Sequence, residues 1–587
     1  MKQTKAIKKA KEKKHFNDLL LPIILILCIM PFVVYMAEYD YGYSEYLWHS
    51  DNSILQDFYT YYRSIFFLVV VFFLVVILAF RLALYKEDTK DYKIFFPLVG
   101  YGFFVLLSSI FSINPKASWL GNFVDLEGCF VLLGYCLTAF YTYQIMKKQD
   151  YQTIIKAIQI MFLPMSIVGW FQVFKHDLLN YEWVQRIVMS DYFFSEYGGT
   201  VEDVFTGNNV FLTLYNPNFA ATFLVMFSCV FFVFTIYAKD FKERILNGIL
   251  LLNALILCWF TYTRAALVAI AIVLVVFAIF QIQKHNKAIL KVMIPSALAL
   301  FAFLFILDFA TGGKYIGRLI DTQKSTGLTS ILTTERGVEI TYEGETYILG
   351  FAEDNASVLL TDDAGNELSV TYTESGDMEL PFAKDAYATI IDWDSYPTLL
   401  VLLENTTLQF IEDDGTYYYY TDWGKIDSMT EIPHVDFHGL ESLGIGRVYI
   451  WSRILPILKN YIFIGSGPDT FAEAYPQNDY VGKMIYAENP GRIMERAHND
   501  YLMRWVQTGL LSLICLLVFY GLFFKKCFAF YKDNSMDCDS SKLGLGCLLG
   551  CIGYLVCCLF SDSTLYTTPV FFVFIGLALA AAYKEEI

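Results

Sequence analysis

Charge is what this sequence has least of. Only 17% of its 587 residues are Asp, Glu, Lys or Arg, against about 25% in a soluble globular protein. The stretches 65–80, 265–282 and 292–307 hold none at all, which argues against water as the main solvent. A hydrocarbon core about 30 Å thick takes roughly 20 apolar residues to cross, and these runs are of that order. Core helices of soluble domains are shorter and carry a polar face. Cysteine is not scarce, at 12 residues, but it is missing from the large polar insert, which excludes a disulfide framework there. Cys527 and Cys538 sit in a lysine-bearing loop, the other cysteines lie in apolar runs, and no spacing suits zinc. There are only 7 histidines. Internal repeats and a phosphate-binding loop are missing too. Ionisable groups are nearly absent from the middle of the apolar spans, which argues against a proton- or ion-coupled transporter.

What the chain has is apolar length. Spans lie near 19–36, 64–80, 94–111, 129–146, 157–174, 219–237, 245–262, 265–282, 292–309, 505–524, 543–560 and 568–583. Counted from a cytoplasmic start, the loops on the cytoplasmic side collect 25 of the 43 Lys and Arg but 13 of the 59 acidic residues, the bias of the positive-inside rule. The lysine-rich stretch 1–18 followed by 19–36 reads as a retained first span. Its apolar run is long, and no small-x-small cleavage site precedes Glu38. The fold expected is an all-α polytopic membrane protein of about twelve transmembrane helices, both termini cytoplasmic, with a small all-β extracytoplasmic insert. Helices 1–9 occupy 19–309, a large outer segment 310–504, and helices 10–12 lie in 505–587. Within the outer segment, 328–436 alternates with period two and has turn signals at 362–365 and 413–415. It holds 23 acidic residues against Arg336, Lys384 and Lys425, so it reads as an acidic β module unsuited to nucleic acid or anionic lipid. It is expected to be an accessory domain. Beyond it, 447–459 reads as an interfacial helix with Arg and Trp at headgroup level, kinked at Pro456.

Four polar constellations sit at outward ends of helices: Trp119–Gly128 with Glu127, Tyr215–Phe219 with Asn216 and Asn218, Thr261–Ala265 with Arg264, and Ala497–Leu502 with His498, Asn499, Asp500 and Tyr501. Arg264 opens a helix whose free N–H groups favour an anion, so it fits a phosphate site; the other reading is an arginine snorkelling to headgroups. Asn216 and Asn218 also suit turn and cap positions. His498 can take a proton near neutral pH, although a lone histidine is more often structural. Asp469 and Asp479 could attract a cation, yet no ligand spacing demands a metal.

In this order, the segments resemble the O-antigen ligase and O-antigen polymerase family of bacterial membrane glycosyltransferases. The strongest match is Gly446–Tyr480 followed by the histidine block, where His498-Asn499 precedes Gly509-Leu-Leu-Ser512 by nine residues. Ser512 replaces the family's final glycine. Thr263-Arg264-Ala265 is similar to its Ser-Arg-Gly, and Glu127-Gly128 and Asn216–Asn218 also fit. The resemblance leaves out the β module. It implies transfer of a glycan from a polyprenyl (undecaprenyl) diphosphate carrier to a glycan, lipid or other envelope acceptor. The reaction would take place on the outer face of the cytoplasmic membrane, without nucleic acid, cofactor or metal. Arg264 and Arg447 would hold the diphosphate and His498 would be the base. Glu127, Asn216, Asn218, Asn499, Asp500 and Tyr501 would support the site or face the acceptor. A polymerase joining lipid-linked repeats is the alternative within the class; a lipid-glycan transporter or surface sensor is a more distant one.

Overall fold

The computed structural model describes residues 17–40, 42–52, 54–85, 92–122, 125–198, 209–310, 312–313, 326–352, 357–393 and 396–584. Most of the basic amino-terminal stretch lies outside them. The protein is mostly helical, and among the described residues eight helices are long and apolar enough to cross a membrane: Tyr61–Ala83, Lys93–Ile110, Tyr151–Val173, Pro217–Tyr237, Arg264–Gln283, Lys287–Ala310, Leu510–Asp533 and Asp539–Cys557. The other four expected spans also carry helices. Asp18–Phe32, Cys129–Ile145 and Thr568–Tyr583 are shorter, and Phe241–Trp259 begins with Lys242, Glu243 and Arg244. This is a multi-pass membrane protein.

Pro217–Tyr237 and Asp539–Cys557 form the centre of the bundle, each mostly buried. Their close approach requires glycine: a Cβ on Gly546 would fall 2.8 Å from the Val230 Cα, the small-residue packing that lets helices meet in lipid. Loops expected on one side touch one another. Asn17 donates to Asp150 at 2.9 Å, Lys239 pairs with Asp537 at 2.9 Å, and Lys284 donates to the Asn534 carbonyl at 2.6 Å.

At the other end lies the β module. Strands Leu328–Thr333, Val338–Tyr342, Glu345–Phe351 and Val358–Asp362 form a four-stranded antiparallel meander. A second sheet of seven strands runs in reverse chain order from Ile426–Asp427 back to Thr371–Tyr372. Inward-facing Val338, Ile340, Leu349, Val401, Leu408 and Phe410 make one shared core. Helix Tyr480–Ala487, far outside the expected module, inserts Tyr480 and Met484 into that core. Its Tyr480 hydroxyl donates to Asp427 at 2.6 Å. Lys425 reaches the first outer loop, donating to the Tyr46 carbonyl at 2.9 Å.

Two expectations need correction. The border at 504/505 falls inside a separate short helix, Asp500–Thr508, which ends at Gly509 with φ 90°; the long helix starts at Leu510. Nor does 447–459 lie with its Arg and Trp among headgroups. Arg453 is buried against Asp479 at 2.7 Å, and the Trp451 indole donates to the Ala497 carbonyl at 2.9 Å. Those internal partners outweigh the interface, because a buried carboxylate left unpaired costs more than an exposed arginine gains. The α-helix runs past Pro456 to Ile457 and continues as a 3-10 turn, Leu458–Tyr461.

Candidate active site

The site starts from two helix beginnings. Asn216 is the N-cap of Pro217–Tyr237, its side chain accepting from the Asn218 amide, with Pro217 at the first position where no N–H is needed. Thr263 is the N-cap of Arg264–Gln283 in extended conformation, with no side-chain cap bond. Its hydroxyl lies 3.3 Å from the Asn218 side-chain oxygen instead. Both helices thus present amino-terminal turns to one cleft of about 180 Å³ lined by Asn209, Asn216, Asn218, Thr263, Arg264 and Arg447, among others. The loop before Asn216 is held by Gln172, which accepts from the Phe211 and Leu212 amides at 3.1 and 2.7 Å. The Val210 amide donates to the Phe260 carbonyl at 3.0 Å, tying that loop to the turn before Arg264.

Arg447 reaches the cleft from the opposite wall. It follows three left-handed residues, Gly444, Ile445 and Gly446, a sharp reversal that aims the helix. Gly446 cannot be replaced freely, since a Cβ there would lie 2.8 Å from the Tyr486 carbonyl oxygen. Burial pulls the Arg447 guanidinium below an arginine's ordinary pKa; Asp562 raises it again and Arg264 lowers it. Two guanidinium groups sharing one cleft repel each other, an arrangement that an anion between them would relieve.

Asp562 also links this cleft to His498. The histidine sits in left-handed backbone at φ 50°, with its side chain 37% exposed and its Nδ1 3.3 Å from the buried Asp562 Oδ2. The other Asp562 oxygen accepts from the Asn499 amide at 3.2 Å. A carboxylate on one ring nitrogen fixes the tautomer and leaves Nε2 to accept a proton.

The remaining expected residues are structural neighbours of this centre. Asn499 caps Asp500–Thr508 by accepting from the Leu502 amide at 3.1 Å, and the Tyr501 hydroxyl donates to the Leu555 carbonyl at 3.0 Å. Asp500 and Glu127 meet on Arg504, at 3.1 and 2.8 Å, and Ser563 donates to Glu127 at 2.9 Å. Burial pushes Glu127 up to about 7, against the pull of Arg504. Asp479 is taken by Arg453 and Tyr449, and Asp469 accepts from the Glu127 amide at 3.0 Å. Among the described residues no cluster has the makings of a metal site.

Sequence reasoning missed Asp562, Arg496 and Arg504. Arg496 lies buried against Asp125, with contacts of 2.6–3.1 Å. The available signal was an acid, Asp562, in the short polar break 561–564 between two apolar runs, and arginines flanking the histidine block.

Residues 406–517 match the family model described as O-antigen ligase. The chain carries an O-antigen ligase domain. Arg447 and His498 fall within the matched segment, while Arg264 and Asp562 come to them from outside it. The O-antigen ligase match begins inside the seven-stranded sheet, at strand Thr406–Asp413, so the border between module and ligase region at 436 is not a border for the family. No curated protein and no solved structure matches the chain. The O-antigen ligase family and the apolar helices together make this a membrane glycosyltransferase of the ligase or polymerase kind.

Proposed function

We propose that this protein transfers a glycan from a polyprenyl diphosphate carrier to an acceptor hydroxyl on the outer face of the cytoplasmic membrane, as an O-antigen-type ligase. The convergence of Arg264, Arg447 and two helix amino termini on one cleft, with His498 joined to it through Asp562, carries the reading. The diphosphate lies between the arginines. His498 Nε2 takes the proton of the acceptor hydroxyl as its oxygen bonds to the anomeric carbon, from the face opposite the diphosphate. The bond from that carbon to the diphosphate oxygen breaks, its electron pair leaves with the polyprenyl diphosphate, and configuration inverts. The arginines stabilise the charge that grows on the leaving group, where charge-assisted contacts count most.

The test uses purified protein in nanodiscs with a polyprenyl-diphosphate glycan, scoring binding and transfer separately. His498→Ala should lower transfer about 10²–10⁴-fold and leave donor binding intact. Arg264→Lys should weaken both, since an ammonium lacks the planar two-point fork. Transfer by His498→Ala at the wild-type rate would remove the histidine from the chemistry. Deleting the gene separates ligase from polymerase: full-length lipid-linked polymer accumulates if a ligase is lost, single repeats if a polymerase is lost.

A further inference from the structure

Tyr215 directly precedes Asn216, which lines the arginine cleft, and combines two costly properties. Its backbone is left-handed, φ 67°, a region that side-chain-bearing residues avoid. Its ring is 48% exposed. An exposed ring would ordinarily swing freely, but this one is held. It stacks on Tyr566 with centroids 6.2 Å apart and planes 11° from parallel, and meets Tyr59 at 5.9 Å. Tyr566 is itself stacked on Phe219 at 5.2 Å and carries the Arg63 guanidinium 4.7 Å from its centre. Arg496 lies 5.3 Å from the Phe219 ring. Three outer loops and a buried arginine therefore hold an aromatic face open to water beside the cleft. Strain and exposure at one residue point to a ligand for that face.

The chemistry of that ligand follows from position. Consecutive Cα atoms are about 3.8 Å apart, so the Tyr215 ring stands about one sugar's length from whatever Asn216 and the arginines hold. Pyranose rings present a face of polarised C–H bonds, which the negative face of an aromatic ring attracts. We infer that Tyr215 is the stacking platform for the donor's first sugar, the one bonded to the diphosphate, and so a determinant of donor specificity. The inference rests on the cleft being the diphosphate site, and its test is read separately from that.

The probes are undecaprenyl diphosphate and undecaprenyl-diphosphate N-acetylglucosamine, each titrated against purified protein in nanodiscs. Tyr215→Ala should bind the sugar-bearing lipid about tenfold more weakly and the bare lipid as wild type does, with Tyr215→Trp restoring the difference. Tyr215→Gly removes the ring while accepting the left-handed backbone, and gives the same readout if the alanine variant folds poorly. Equal losses for both lipids, or no loss for either, would overturn the platform. Bare-lipid binding that ignores Arg264→Ala would instead overturn the diphosphate cleft, and the sugar-dependent difference at Tyr215 would still be measurable.

Discussion

His498 and Asp562 are 64 positions apart in the chain and 3.3 Å apart in space, and that contact defines what each can do. Asp562 touches no substrate in this arrangement; it acts through the imidazole, as a positioning residue. Asp562→Asn should therefore lower transfer by at least about tenfold while leaving donor affinity unchanged, and should alter the pH profile of the rate. An unchanged profile with a lowered melting point would make the aspartate merely structural. Arg264, Arg447 and His498 were legible in the sequence because each stands in a local motif at a helix end. Asp562 was not, since a one-dimensional spacing carries no trace of a partner supplied by a distant loop. The same limit applies to Glu127 and Asp500: their motifs were visible, but their common partner Arg504 makes them a buried brace, not the first substitutes for the base.

Among elements, the left-handed turn before Arg447 matters most. Gly446→Ala would bring a methyl group to 2.8 Å from the Tyr486 carbonyl oxygen in backbone that disfavours a side chain. It should weaken donor binding by shifting Arg447, with little effect on the fold of the β module; calorimetric titration with a polyprenyl diphosphate checks this. Helix Tyr480–Ala487 supplies a second prediction. Burial pulls the Lys483 ammonium down to about 8, opposed by Asp479, Asp422 and Asp427. The unfolded chain then binds more protons than the folded one between about pH 8 and 10.5, so stability rises with pH across that window. A thermal melt should show this rise, limited to about 3 kcal/mol, and Lys483→Met should flatten it. The strands were legible from period-two alternation and turn residues. The helix that completes their core was not, because eight residues with apolar Tyr480 and Met484 look the same whether they face lipid, ligase or sheet. Replacing 328–436 by a linker would therefore strip cover from Tyr480 and Met484, so the module is not an independent graft.

For the whole molecule, charge asymmetry predicts which end of the bundle faces outward. In a cysteine-free background, a cysteine at Lys287 should resist an impermeant thiol reagent on intact cells and one at Asp413 should react; the reverse pattern would invert the protein. The apolar runs made the helices legible, since lipid demands length and lack of charge, but their packing depends on small residues such as Gly546, whose role shows only when Val230 is opposite. The contact between His498 and Asp562 bears also on how the protein is made. Asp562 and Tyr566 lie in the turn joining the last two helices, Asp539–Cys557 and Thr568–Lys584. A nascent chain emerging from the ribosome displays both cleft arginines and the histidine long before that turn is synthesised. Until the final hairpin inserts, the base lacks its carboxylate and the aromatic stack its middle ring. The half-made enzyme can meet carrier lipids in the membrane without spending them, and its birth as a catalyst coincides with the completion of its last hairpin.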